Sequence, residues 1–343
     1  MNATLGREAV PIPADQVGYL LSTAARAPSV HNTQPWRFRV NACDIELLAD
    51  PRRKLGVDPI GREMLVSCGA ALFGLRLAIR SLGYQPVIRL LPDIKQLRLL
   101  ARIAMVAGTP MTARESDLLN AIPHRHTHRG PFSPRPLPPG LLVGLQHDAV
   151  AEGATLALVQ SAAGYERLAS LLSATGPRQD HDPVARADIT RWSRAAESGA
   201  RDGIPAQAFP AQLVSEPGRL RQRDFDLGRG IGFDATPGAR PAATAILLTL
   251  ADRRADWLRA GQALQRLLLH AASTWVFASL YTQPLESAQI RHMVKERLRL
   301  PGFPQVLLQF GRADSTHPTA RRSCDEGTSA SYRPPPPRYA IDM

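Results

Sequence analysis

Ala25-Arg26-Ala27-Pro28-Ser29-Val30-His31-Asn32-Thr33-Gln34-Pro35-Trp36-Arg37-Phe38 is the stretch from which the rest of the chain can be read. Upstream of it, Val17, Leu20, Leu21, Ala24 and Ala25 recur at helical spacing, so an amphipathic helix is expected to end near Ala27, where Pro28 forces a turn. Trp36 and Phe38 then lead into a strand over Phe38–Val40, which makes the stretch a helix-to-strand loop. Ser29, His31, Asn32, Thr33 and Gln34 give that loop a dense run of hydrogen-bonding groups, suited to a planar polar ligand.

The surrounding chain sets bounds. It has 343 residues, 44% of them hydrophobic and 21% charged, enough material for a sizeable core and for more than one unit. The formal net charge of +12 raises the question of a polyanionic partner. Its Arg residues are spread over the whole length, without a basic block or the aromatic-basic pattern of an RNA-binding sheet, so a solvated basic surface is favoured over a nucleic-acid groove. No run of about 18 apolar residues appears, and the first residues lack a basic segment followed by an apolar one. The expectation is a cytoplasmic protein that neither spans nor binds a membrane. Cys43, Cys68 and Cys324 form no CxxC pair and are expected to be free thiols.

Taken in order, residues 1–14 read as an extended arm, Ile45–Ala49 as a strand, and Arg62 to Leu82 as a helix apolar on most faces and therefore buried. Strands follow at Val87–Leu91 and Leu99–Val106, then a Pro-rich linker, a helix at Leu141–His147, a strand at Thr155–Val159 and a helix at Tyr165–Ala174. From Pro177 to Pro241 the pattern breaks into an insertion rich in Arg, Asp, Gly and Pro, with Ile189, Trp192, Phe209, Phe225 and Phe233 as isolated anchors. So long a stretch with little periodicity suggests a functional cover. Ala245–Leu250 reads as a strand, Asp256 to Leu280 as a second apolar helix and Gln305–Gly311 as a last strand, and Arg333–Arg338 reads as polyproline. Sliding the chain by 192 positions places Gly69, Leu72, Leu75 and Ser81 on Gly261, Leu264, Leu267 and Ser273.

The motif Ala27-Pro28-Ser29-Val30-His31-Asn32-Thr33-Gln34-Pro35-Trp36 resembles the APSxxNxQPW signature of the FMN-dependent nitroreductase family, most closely the Acg-like branch, in which one chain holds two copies of the fold. Arg125-His126-Thr127-His128-Arg129 resembles the family's RxSxR run, and Arg321-Arg322 its C-terminal basic pair. The resemblance makes Ser29, His31, Asn32, Gln34, Arg125, Thr127, Arg129, Arg321 and Arg322 FMN-binding residues. Two forked Arg donors and a hydroxyl are suitable chemistry for a phosphate or a flavin pyrimidine ring. Gln262 and Arg266 are candidates to face the cofactor, or else form a solvent-facing stripe. The alternating His124, His126 and His128 also fit a metal site, which the flanking cations disfavour. In the family a backbone N–H lies near flavin N5 in the loop that here reads Tyr281-Thr282-Gln283-Pro284-Leu285-Glu286; Pro284 has no N–H, so Gln283 or Leu285 must supply it.

Each half of the chain carries only part of the motif set, so the resemblance implies one composite FMN site per chain. The expected fold is α+β: a nitroreductase-like fold duplicated as a pseudo-dimer, with units at 1–110 and 111–322, a lid-like insertion at 177–241 and a Pro-rich tail at 323–343. The expected activity is transfer of electrons from NAD(P)H through FMN to a small nitroaromatic or quinone-like acceptor, with no protein acid or base required. The alternative is a lid-closed flavin-binding or flavin-storing protein with little turnover. One polypeptide then suffices to bind flavin as a monomer, and a homodimer stays open.

Overall fold

The computed structural model describes residues 8–212, 220, 222–234, 239–314 and 318–323, and the side chains of 175–180 are left aside. The arm expected at 1–14 is therefore described from residue 8, where Val10 N–H donates to Met105 O at 2.8 Å. Cys324 and the polyproline segment lie outside the described residues.

In chain order the elements are α1 (Val17–Ala25), β1 (Trp36–Val40), β2 (Asp44–Ala49), α2 (Arg62–Ser81), β3 (Tyr84–Leu90), β4 (Leu99–Ala107) and α3 (Ala113–Asn120). Then come α4 (Leu141–Ala151), β5 (Thr155–Leu158), α5 (Ala162–Asp180), α6 (Pro183–Trp192), β6 (Ser193–Arg194) and β7 (Ile204–Pro205). The last are β8 (Ala243–Thr249), α7 (Arg254–Ser273), β9 (Phe277–Leu280), α8 (Gln283–Glu286), α9 (Ala288–Arg297) and β10 (Phe303–Gly311).

Two antiparallel four-stranded sheets organise this α+β fold. One runs β1-β2-β4-β3 and the other β5-β8-β10-β9. In both, two strands precede a 20-residue helix and two follow it, and the fourth strand lies between the second and the third. The two long helices, α2 and α7, pack on each other in one continuous core that also takes residues from both sheets. Every residue of α2 except Arg76 and Ser81 is buried, as an all-round apolar helix requires. Among the described residues α2 is the one helix long and apolar enough to cross a membrane, and 89% of that window is buried inside the fold.

The helices cross at two glycines. A Cβ on Gly261 would stand 1.9 Å from Val66 O and 2.8 Å from Gly69 Cα, and one on Gly69 would stand 2.2 Å from Leu258 O. Backbones this close leave no room for a side chain. The pair in contact is the pair that the 192-residue shift superimposes.

The structure corrects three expectations about elements. The helix expected to run to Leu280 ends at Ser273; Trp275 takes a left-handed φ of 57°, and Phe277–Leu280 form β9 beside β10. The described residues of the 177–241 insertion include regular elements that its composition does not suggest: Asp182 accepts from Val184 N–H and Pro183 opens α6, while β6 and β7 pair in parallel. Helix α3 was unforeseen, although Thr112 and Glu115 form a reciprocal capping box at its start. Within the insertion Trp192 and Phe209 are buried, and Phe225 and Phe233 are half-buried.

Candidate functional site

The start of α2, the turn after α1 and the end of β9 converge on one cleft with about 990 Å³ of unfilled space, its open mouth included. That is the size range of small-molecule sites. Pro28 to His31 and the α2 residues Arg62, Glu63, Val66 and Ser67 form one side. Thr127, His128 and Arg129 form the other, held to β9 by His128 N–H donating to Ala278 O at 2.9 Å and Ser279 Oγ donating to His128 O at 2.9 Å. Tyr281 to Pro284 continue this wall, and Pro210, Gln222, Arg223 and Phe225 bring the insertion over it. Of the residues singled out from sequence, Ser29, His31, Thr127, Arg129 and Gln283 line the cleft.

The loop between α1 and β1 is held in an uncommon shape. His31, Asn32 and Gln34 take φ of 47°, 53° and 50°, a region that costs non-glycine residues about 1–3 kcal/mol each and needs support from around it. Ser29 Oγ accepts from Gln34 N–H at 2.9 Å, and Ser67 Oγ accepts from Val30 N–H at 3.3 Å. Asn32 Nδ2 donates to Gly203 O at 2.8 Å and Ala320 O at 3.0 Å; Gln34 Nε2 donates to Arg201 O at 2.9 Å, and its Oε1 accepts from Arg322 N–H at 2.9 Å. The two amides therefore fasten the insertion and the C-terminal segment to the loop and do not line the cleft.

His31 stays in the site. Its ring meets Phe225 edge-on at 5.2 Å, and neither ring nitrogen has a partner. Burial, with Arg223 and Arg129 nearby, holds its pKa well below 6.5, so the imidazole is neutral.

A group of guanidiniums gathers where this loop meets the segment before α4. Arg125 is 6% exposed, donates from Nη2 to Arg26 O at 3.4 Å, and has two buried N–H groups, Nε and Nη1, with no partner. Arg321 Nε donates to Ala27 O at 3.2 Å. Arg129 lies over the Phe225 ring at 5.6 Å. Among the described residues no carboxylate pairs with Arg125, Arg129 or Arg321. Burial lowers Arg125 to about 10, with Arg129 and Arg26 adding repulsion, and burial alone lowers Arg129 to about 10. Arg321 is lowered well below the usual arginine range, by burial and then by Arg125, Arg26 and Arg129. Like charges with unmet donors suit an anion.

Other sequence candidates lie elsewhere. Arg266 pairs with Asp148 at 2.9 Å and Glu152 at 3.0 Å, and Gln262 Oε1 accepts from Arg76 at 3.0 Å. These contacts tie α7 to α4 and α2, away from the cleft, because α4 places its two acids four residues apart on the face that meets α7. Arg322 extends its guanidinium to Gln34 O and Trp36 O, both at 3.2 Å. Leu285 N–H donates to Thr282 O at 2.8 Å, which leaves Gln283 as the cleft-lining member of the pair considered for flavin N5. The His126 ring stacks on Phe277 at 4.3 Å and the His128 ring on Phe132 at 4.9 Å, and no metal-holding cluster occurs among the described residues.

Sequence reasoning missed a second group of charges in the cleft. Arg62 Nη2 lies 3.1 Å from Glu63 Oε1, and Arg223 pairs with Glu286. The signal for the first pair was an Arg-Glu dipeptide opening an otherwise apolar helix. Arg223 lies in the insertion, where nothing in the local pattern marks it.

The family model described as "Nitroreductase family" matches residues 8–56. The chain is 34% identical over 325 residues to the Mycobacterium tuberculosis H37Rv protein named "Putative NAD(P)H nitroreductase Rv3131", covering 91% of each. It is 27% identical over 320 residues to that organism's "Putative NAD(P)H nitroreductase acg", covering 92% of this chain and 96% of the relative. A crystal structure of a nitroreductase with bound FMN from Desulfitobacterium hafniense aligns with a TM-score of 0.39 at 14% identity, over 61% of this chain and 96% of that one. Similarity to Rv3131 over nine-tenths of both chains shows that this chain belongs to the nitroreductase family.

Proposed function

We propose that this chain is an FMN-dependent oxidoreductase that takes electrons from NAD(P)H and passes them to a small nitroaromatic or quinone-like acceptor. The observation that carries the reading is the Arg125, Arg129 and Arg321 cluster beside the cleft, with no carboxylate partner among the described residues and two orphaned N–H groups on Arg125. These three residues would hold the cofactor's phosphate, with Ser29, Thr127 and Gln283 along the cleft toward its ring system. FMN, when bound, supplies the two-electron chemistry, and the chain's part is to bind it, orient it and limit water. The same reading treats 1–110 and 111–322 as two nitroreductase-like units joined as a pseudo-dimer, 177–241 as the lid and 323–343 as a tail. Repetition of strand order in the two sheets and the Gly69–Gly261 contact support it. No GxGxxG follows a strand, and the Gly228–Gly232 run has its amides on Asp226: Gly230, Ile231 and Gly232 N–H donate to it at 2.6, 2.8 and 3.0 Å. A dinucleotide flavin thus has no second phosphate cradle there.

The insertion over the cleft favours one further reading, a closed flavin carrier with little turnover. Chromatography and the spectrum of the ligand released on denaturation test the proposal. FMN is expected, and FAD or no flavin would overturn it. Reduction of the bound flavin by NAD(P)H is expected of the enzyme and its failure of the carrier.

A further inference from the structure

Among the described residues Glu63 is the carboxyl group that lines the cleft, and its surroundings leave one of its oxygens unused. It is 5% exposed, Oε1 accepts from Arg62 Nη2 at 3.1 Å, and Oε2 is buried with no partner. Arg62 is already shared out, donating to Gln305 O at 2.9 Å and Leu285 O at 3.0 Å. Charged groups reach this corner from every packed element. They are Asp58 before α2, Arg62 on α2, Glu286 on α8 and Arg223 on the insertion, with Arg291 and Asp252 behind Arg62. Glu286 pairs with Arg223, Asp252 pairs with Arg291 at 2.8 Å, and Asp58 accepts from Met64 N–H at 3.0 Å. Burial raises the pKa of Glu286, beside Arg223, and of Asp58 as well. Ionising Glu63 places a second buried negative charge beside Glu286, met only at Oε1 by Arg62. Burial first, then the negative charge of Glu286, pushes Glu63 up to about 8.

We propose that Glu63 is the proton donor of the cleft, and that its carboxyl group delivers the proton to an oxygen of a quinone-like acceptor as the acceptor is reduced. This rests on the oxidoreductase reading above. A quinone becomes a hydroquinone by gaining two electrons and two protons. NAD(P)H is the reductant and supplies both electrons with one proton, as hydride equivalents, leaving NAD(P)+; Glu63 supplies the other. The Glu63 carboxylate then recovers a proton from solvent through the cleft mouth. His31 cannot take this role, because its imidazole carries no spare proton at neutral pH. His128 has its Nε2 on Pro131 O at 2.9 Å.

The test uses the full chain in two measurements. Infrared difference spectroscopy across pH should show a protonated-carboxyl band at pH 7 that disappears near pH 8 and is absent from Glu63→Gln. This reads equally in flavin-free protein. In the second measurement, flavin-loaded protein is reduced with NAD(P)H without oxygen and mixed with a benzoquinone. Wild-type reoxidation should fall above about pH 8, whereas Glu63→Gln should be about 100-fold slower at pH 7 and flat with pH, with the NAD(P)H half-reaction little changed. Glu286→Gln should move both titrations to lower pH, which gives a reading even if Glu63→Gln folds poorly. A carboxyl band that survives in Glu63→Gln, or a reoxidation profile identical to wild type in a variant that still binds and reduces flavin, overturns the role of Glu63 alone. Absence of flavin overturns the oxidoreductase reading, while the infrared result still decides whether Glu63 holds the proton.

Discussion

Arg125 places two N–H donors in the protein interior where no acceptor meets them. An unmet buried donor costs about 1–3 kcal/mol, more when charged, so this position weakens the empty protein and strengthens it once an anion arrives. Arg125→Met, which keeps the aliphatic stem and removes the charge, is therefore expected to raise the melting temperature of flavin-free protein while weakening FMN binding. Arg125→Ala combined with Arg129→Ala should lose roughly 1.5–3 kcal/mol of FMN affinity per residue, read by fluorescence titration. Equal melting temperatures and an unchanged titration would remove both from the site. The sequence showed the residue types here better than their directions. The motif's amides were legible as hydrogen-bonding groups, but the left-handed turns at His31, Asn32 and Gln34 aim Asn32 and Gln34 at the insertion and at Ala320 and Arg322. Backbone sign is not written in side-chain pattern. Glu63 and Arg62 stayed hidden for the opposite reason: a helix apolar on most faces reads as core throughout, and its first turn lines a cleft.

The crossing of α2 and α7 borders the cleft: α2 supplies Glu63, Val66 and Ser67 and α7 supplies Leu264. Gly261→Ala would put a methyl group 1.9 Å from Val66 O on the neighbouring backbone, so one helix must move. A loss of at least about 1–3 kcal/mol in denaturant unfolding is expected, with weaker FMN binding because Val66 itself forms the wall. Gly199→Ala, where a Cβ meets nothing within 4 Å, is the control and should be neutral. A Gly261→Ala variant as stable as wild type would mean that the helices are not pinned there. The repeat of glycines at a spacing of 192 was visible in the sequence, but that they touch was not. The two long helices and most strands were legible from periodicity. β9 was not, because Phe277–Leu280 continues an apolar run and only the left-handed turn at Trp275 separates strand from helix. Helices α3 and α6 had their signals in caps, Thr112 with Glu115 and Asp182 with Pro183, which a search for apolar stripes passes over.

At the scale of the molecule the cleft belongs to neither half: Ser29 and His31 come from the first sheet's side, Thr127 and Arg129 from the second's, and Arg223 and Phe225 from the insertion. The insertion contributes Pro210, Gln222, Arg223 and Phe225 to the lining, so if it guards the cleft as proposed, its fastening decides access. Part of the fastening lies away from the cleft. Asp202 pairs with Arg53, next to the loop, and with Arg194 at 2.9 Å, while Arg53 and Arg194 also lie over the Trp192 ring at 5.2 and 5.7 Å. Gly203 N–H donates to Asn32 O at 3.2 Å beside it. None of these groups lines the cleft, so weakening them separates access from binding. Asp202→Asn keeps the shape and removes the charge; a partly exposed pair of this kind contributes about 1 kcal/mol at most. If opening of the insertion limits entry, that loss raises the open population about fivefold. Bound flavin should then be reduced by dithionite or NAD(P)H about fivefold faster, with FMN affinity little changed, as stopped-flow absorbance would record. An Asp202→Asn protein whose flavin is reduced at the wild-type rate, at both low and high salt, would show that the insertion shapes the cleft without gating it.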